Sequence, residues 1–339
     1  MWGVIGNEAA VASLRRSLTL DRLAHAYLLV GPEGVGKRTL ALALAQAVNC
    51  PQPDPPCGAC PQCRRIANGL HPDVTVVTVE PGKREIGIDS VRELQHSLNL
   101  LPFEGRNRVT IIRDAERLTN EAANALLKTL EEPPPRVVLA LTCHDDEALL
   151  PTIRSRCRRV ALNPVGTAEL IRVLETQHGV DPVLAGTLAR HARGLPGHAL
   201  AALAEPAVLT GIAHSMAQLK AMVSADIPQR LELAAQLAPG AGTSRESLLA
   251  LLRVWLDWWR DLLLVKTGCA TGLVFAGEAQ NYARGAGALD LAGIRRAVDA
   301  VKESSRQIDL NVNPRLVMDV LALRLPRVAG IGPAGDQTP

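Results

Sequence analysis

Aromatic side chains are scarce, with 2 Phe, 2 Tyr and 4 Trp among 339 residues. Surfaces that hold single-stranded nucleic acid stack successive bases on aromatic rings, so a chain this poor in rings argues against one. Charge of one sign is not in excess either. The 37 Lys and Arg stand against 34 Asp and Glu, a formal net of +3, too little to point to a nucleic-acid partner by itself. Long uncharged apolar runs are missing. The longest candidate, "LLRVWLDWWRDLLLV" from Leu251, is broken by Arg253, Asp257, Arg260 and Asp261, whereas a membrane helix needs roughly 18 or more apolar residues in a row. The opening MWGVIGNEAA has no basic segment leading into an apolar one, so no secretory leader is expected and the chain is read as cytoplasmic. In that compartment its 7 cysteines predict metal ligation or packing rather than disulfides.

What is present is a 47% apolar, Ala- and Leu-rich chain. Its length exceeds one ordinary domain, and its composition predicts largely helical structure. Short apolar strands are expected at 24–31, 72–79, 108–114 and 136–143, with helices at 39–50, 89–101 and 119–135 between them. That alternation predicts an α/β fold over 1–162, a parallel sheet with helices on both faces. Strand signals then fade. Short helices joined by "GLPG" occupy 163–205, helical spacing runs over 206–326, and the Gly/Pro-rich end, 327–339, is expected to be disordered.

Four cysteines crowd into "CPQPDPPCGACPQC", as Cys50, Cys57, Cys60 and Cys63. Two residues between thiolates let both reach one ion from a tight turn, and four such ligands close a tetrahedral structural zinc site. An iron–sulfur cluster is the competing metal reading, but the C-x₃-C-P continuation of a ferredoxin run is absent, since "RRIANG" follows.

"GPEGVGKRTL" (31–40) lies between a strand and a helix, the setting of a phosphate-binding loop. Its Gly31, Gly34, Gly36 and Lys37 match that role, with backbone N–H groups and an ammonium available to phosphates. The position that should offer magnesium a hydroxyl is Arg38, and Thr39 stands one residue on, turned about 100° around the helix. The acidic pair of a working ATPase belongs at the end of a neighbouring strand. Here Val109–Ile112 runs into Arg113-Asp114-Ala115-Glu116. If the pair starts at 113, a cation stands where magnesium is held; if it starts at Asp114, its second member is Ala115. His25, His71 and His144 lack an evident cysteine or carboxylate arrangement in sequence and are expected as packed or capping residues.

"NEAANALLKTLEEPPPRVVLALT" followed by "LLPTIRSRC", with "LPFEGRNRVTIIRDAERLT" before them and "NVNPRLVMDVLALRL" near the end, resembles the AAA+ clamp-loader family of bacterial DNA polymerase III. The likeness is densest over 1–165. The four-cysteine insertion after the loop helix fits the same family. The resemblance implies an AAA+ sheet domain, a small helical lid at 163–205 and an all-α collar at 206–326 that joins a five-membered arc. It implies gamma/tau ATPase subunits and a delta subunit as partners, and a sliding clamp and primed DNA engaged through the complex. In Ser155-Arg156-Cys157, Arg156 corresponds to the arginine finger that reaches a neighbour's ATP. Thr142 corresponds to the polar sensor ending the fourth strand, and Gly197 of "GLPGHAL" stands where the lid's sensor arginine belongs. Glu131 and Glu132 are family signature with a structural role. With its own site altered at three places and Arg156 kept, the chain is expected to be a largely non-hydrolysing scaffold with structural zinc, while Lys37 and the glycines leave ATP and magnesium binding open. No paired-carboxylate polymerase site is visible. Two other readings compete: an active motor ATPase using Thr39 for magnesium and Asp114 to polarise water, and a zinc-bearing DNA-binding module, weakened by low charge.

Overall fold

The computed structural model describes residues 2–238, 244–269, 272–328 and 331. Most of the expected tail therefore lies outside the described residues. The chain divides into two compact units, Met1–Val180 with Ala192–His198, and Asp181–His191 with Ala199–Pro339.

The first unit holds α1 (Glu8–Thr19), β1 (Ala26–Val30), α2 (Lys37–Asn49), α3 (Pro61–Ala67), β2 (Val74–Val77), α4 (Ile88–Leu98), β3 (Arg108–Ile112), α5 (Asn120–Glu131), β4 (Val137–Cys143), α6 (Pro151–Arg154), β5 (Arg158–Ala161) and α7 (Thr167–His178). Its five strands are parallel, in the order β2-β3-β4-β1-β5. Every residue of β1 and β4 is buried, which is why these strands read as continuous apolar runs: helices cover both sheet faces. Alternation along β1 divides the core. Tyr27 and Leu29 join Val109, Ile111 and Val138 under Leu40, Leu44 and Val48 of α2. Leu28 and Val30 turn the other way, with Leu139 and Leu141, against Val91 and Leu94 of α4 and Leu126 and Leu130 of α5. Each such side chain contributes about 1.5–3 kcal/mol when fully buried. Thr119 caps α5 by accepting the Ala122 N–H. Because β1 and β3 both pair with β4, the segments that follow these three strands emerge side by side at one edge, where open α/β sheets place their ligands.

The second unit is helical among the described residues, with α8 (Pro182–His191), the greater part of α9 (Pro196–Ala204), α10 (Pro206–Ser224), α11 (Ile227–Leu237), α12 (Arg245–Lys266), α13 (Ala279–Ala288), α14 (Leu291–Asp309) and α15 (Pro314–Arg324). Trp255, Trp258 and Trp259 of α12 are fully buried with Tyr282, Ile294, Val301 and Met318. The acids that interrupt this helix in sequence are buried and partnered. Asp261 accepts the Phe275 N–H at 2.9 Å and the Tyr282 hydroxyl at 3.1 Å, and an Asp257 oxygen lies 3.1 Å from His191 Nδ1. No single helix among the described residues is long and apolar enough to cross a membrane. Arg230, 4% exposed, donates to the carbonyls of Ala225 and Val223 and, at the end of α15, to those of Ala322, Leu325 and Pro326. It thereby occupies backbone acceptors that a helix terminus leaves open.

Candidate functional sites

The phosphate-type loop follows β1 directly. Gly34 has φ 77° and Gly36 φ 108°, left-handed values that glycine adopts without penalty. Lys37 opens α2 with its ammonium turned back onto the loop, donating to the Gly31 carbonyl and, at 3.0 Å, to that of Pro32. Burial lowers its pKa, opposed by the nearby Glu116 and Asp114 carboxylates. Arg38 and Thr39 are exposed, and a Cβ on Gly3 would lie 3.8 Å from the Thr39 methyl. The first turn of α9 packs on the loop: the Gly197 N–H donates to the Gly34 carbonyl at 2.8 Å. A Cβ at 197 would stand 3.0 Å from both Cα and O of Gly34, so the glycine where a sensor arginine is expected is demanded by this backbone approach. A Cβ on Gly34 would in turn meet the His198 ring at 2.8 Å.

At the ends of β3 and β4, Asp114 takes a left-handed backbone, φ 52°, and its N–H donates to Thr142 Oγ1 at 3.1 Å. The Arg113 N–H pairs with the Val77 carbonyl at 2.9 Å. Glu116 accepts the His144 N–H at 3.0 Å, and its Oε1 is 2.8 Å from His144 Nδ1. His144 Nε2 is 3.9 Å from a Glu33 oxygen. Burial pushes the neighbouring Cys143 thiol up to about 12. The His144–Glu116 couple escaped sequence reasoning, since its members are 28 positions apart and meet only because β3 pairs with β4.

Arg156 follows α6 in a tight turn. Its Nη1 donates to the Thr152 carbonyl at 3.1 Å, and its Nη2 is 2.7 Å from Glu131 Oε1 at the end of α5. Both side chains keep a third or more of their surface in solvent, 35% and 51%. An exposed pair of this kind is worth about 0–1 kcal/mol, so it orients the guanidinium without committing it. Arg158 donates to Ser17 at 2.7 Å, and Arg159 pairs with Asp146 at 2.6 Å. The Cys157 thiol is driven up to about 12 by burial, as befits a packing residue.

Cys50, Cys57, Cys60 and Cys63 place their four sulfurs within 4.8 Å of one another. Cys50–Cys60 and Cys57–Cys63 are each 4.0 Å apart, close to the roughly 3.8 Å edge of a tetrahedron with 2.3 Å zinc–sulfur bonds. The Cys60 and Cys63 N–H groups point at Cys57 and Cys60 sulfurs, at 3.3 and 3.4 Å. Backbone N–H donation from Ala59 and Cys60 draws Cys57 down to about 6, whereas burial pushes Cys63 up to about 12. Gln46 of α2 donates to the Cys63 carbonyl at 2.8 Å, tying the module to the loop helix. This donor set fits a closed four-thiolate metal site. Beside it, His71 is a satisfied core residue: Nδ1 accepts the Asp73 N–H at 3.1 Å, and Nε2 pairs with Gln62.

Residues 6–166 match the family described as "DNA polymerase III, delta subunit". The chain is 34% identical to DNA polymerase III subunit delta' of Pseudomonas aeruginosa over 252 residues, covering 71% of this chain and 72% of the relative. It is 40% identical to the Escherichia coli subunit delta' over 181 residues, 52% of this chain and 54% of the relative. It is also similar to the Escherichia coli subunit tau, 34% identical over 215 residues, 61% of this chain and 33% of the relative.

Proposed function

The chain belongs to the delta-prime family of DNA polymerase III clamp-loader subunits, and from that premise we propose that it is a largely non-hydrolysing AAA+ scaffold that lends Arg156 in trans to the ATP site of a neighbouring gamma/tau subunit. The observation that carries this reading is the contact of Gly197 with Gly34. The place from which a lid arginine would act on this chain's own nucleotide is taken up by backbone against backbone. Arg38 and Arg113 deepen the loss, because neither can hold magnesium, and Lys37 is engaged with the loop's own carbonyls.

Arg156, in contrast, sits at the surface with an exposed carboxylate as its partner. Exchanging Glu131 for a γ-phosphate replaces one charged contact by another and costs no more than the ~1 kcal/mol an exposed pair provides. At the neighbour's phosphates the guanidinium would stabilise charge developing in phosphoryl transfer, worth about 10³–10⁵ in rate in well-studied cases. The four cysteines would hold a zinc ion, which would supply a cross-link and no chemistry at a substrate. The gamma/tau and delta subunits, and through them the sliding clamp and primed DNA, are the partners of this role. The sheet domain at 1–162, the lid at 163–205 and the collar at 206–326 are its working divisions.

The test is ATP turnover by the purified chain alone and then mixed with its cognate ATPase subunits. An inert chain, and a mixture whose turnover is lowered by Arg156→Ala without loss of assembly, are the expected results. Lys37-dependent turnover by the chain alone would instead make it a motor subunit, with Thr39 and Asp114 at magnesium and water.

A further inference from the structure

Three side chains that the proposed function leaves unused converge beyond β3 and β4. The carboxylates of Asp114 and Glu116 and the imidazole of His144 bring one ligand atom each within 4.8 Å of the others. Glu116 Oε1 is shared by the N–H and Nδ1 of His144, while Glu116 Oε2 is buried with no hydrogen-bond partner. A buried carboxylate oxygen without a donor costs free energy, so native structures rarely leave one unpaired. Glu33 approaches from the phosphate-type loop, 3.9 Å from His144. Lys37 lies near these carboxylates, and its ammonium is held by the carbonyls of Gly31 and Pro32. Glu33, Asp114 and Glu116 bring three carboxylates close to His144 and Lys37, an acidic surrounding that favours a bound cation.

The donor chemistry narrows the ion. One imidazole nitrogen with carboxylate oxygens suits a first-row transition dication such as Zn²⁺ or Mn²⁺, and a neutral imidazole is seldom a ligand for Mg²⁺. We propose that Asp114, Glu116 and His144 form a transition-metal site that needs no nucleotide and braces the ends of β3 and β4 at the mouth of the loop. The ion would take the place of the proton shared by His144 and Glu116 and give Glu116 Oε2 a partner. This differs from the magnesium of an ATPase, which is held through a loop hydroxyl and the nucleotide's own phosphates. It stands independently of the role of Arg156.

Mn²⁺ is the probe, because a hard ion is poorly held by four thiolates and leaves the cysteine module aside. The full chain is titrated without nucleotide and followed by electron paramagnetic resonance. Wild type binds one Mn²⁺ per chain and shows hyperfine coupling to an imidazole nitrogen. His144→Gln abolishes the coupling, and both it and Glu116→Gln weaken binding by about tenfold or more. His144 keeps 45% of its side chain in solvent, and circular dichroism confirms that its variant folds. No stoichiometric binding at millimolar Mn²⁺ overturns the proposal. So does binding that lacks nitrogen coupling or is indifferent to both substitutions. ATP turnover by partner subunits is not part of the readout, so failure here leaves the function proposed above untouched.

Discussion

Replacing Gly197 by alanine probes the contact on which the reading of the nucleotide site rests. Gly197 lies in the first turn of α9, and nothing marks its backbone as left-handed. Helix propensity alone therefore predicts that alanine stabilises, by up to about 0.5–1 kcal/mol. The structure predicts the opposite sign. The new Cβ would stand 3.0 Å from Cα and O of Gly34, and those are backbone atoms that cannot rotate away. The loop could retreat only by lengthening the 2.8 Å bond from the Gly197 N–H to the Gly34 carbonyl, itself worth about 1 kcal/mol. Overpacking of this kind costs about 1–3 kcal/mol. For a unit of this size each kcal/mol lowers Tm by about 2–4 °C, so a fall of roughly 2–12 °C is expected in calorimetric unfolding. Gly166→Ala is the control, since a Cβ there meets nothing within 4 Å. A Gly197→Ala protein that melts at or above the wild-type temperature would refute the close approach. A Gly197→Arg protein that gained ATP turnover would refute the claim that backbone closes the site.

Three further outcomes follow from buried polar groups and the cysteine module. Asp73 is fully buried and accepts the N–H groups of Phe103, Glu104 and Gly105 at 2.7–2.9 Å, with Arg108 at 3.3 Å. Burial by itself would raise its pKa, but those donors and Arg108 hold it below the ordinary carboxylate value. A depressed folded pKa contributes stability above the unfolded value, near 4, and loses it as pH falls through the folded pKa. Asp73→Asn should therefore cost about 3–5 kcal/mol near neutrality, a gap that urea unfolding shows closing only in strong acid. Arg230→Ala should cost a similar ~3–5 kcal/mol by orphaning several buried carbonyls, and Arg230→Lys should recover only part, because an ammonium cannot reproduce the guanidinium's fork; denaturant midpoints decide it. With zinc proposed in the module, Cys60→Ser should lower the metal content found by elemental analysis and lower Tm, whereas an unchanged metal content would remove Cys60 from the ligand set.

The centre of the parallel sheet was legible because β1 and β4 are buried along their whole length and read as apolar runs bounded by turn residues, whereas β5, where only Val160 is buried, has no such run and was not expected. The cysteine module was legible because its ligands are local in the chain. Arg156 was visible through its family context, but its partner Glu131 was not, since 25 positions separate them and only the packing of α5 near α6 brings them together. The helix around Trp255 shows the opposite limit. Asp257 and Asp261 break the apolar run in sequence, yet both are fully buried, because His191, Tyr282 and the Phe275 N–H reach them from other parts of the chain. His144 was read as a bland residue for the same reason: its carboxylate arrives from another strand.

Helix α2 has Lys37 as its first residue, and Cys50 follows its last. At 1.5 Å per residue its 13 residues make a rod about 20 Å long. One end carries the loop, the other is moored by Gln46 and the four sulfurs, and Leu40, Leu44 and Val48 bed its flank on the sheet. A rod held in this way cannot slide. Any adjustment of the loop is then easiest as a small swing about the moored end, where Gln46 donates to the Cys63 carbonyl. A module remote from the loop is thus joined to it through one stiff element and bears on how far the loop can yield.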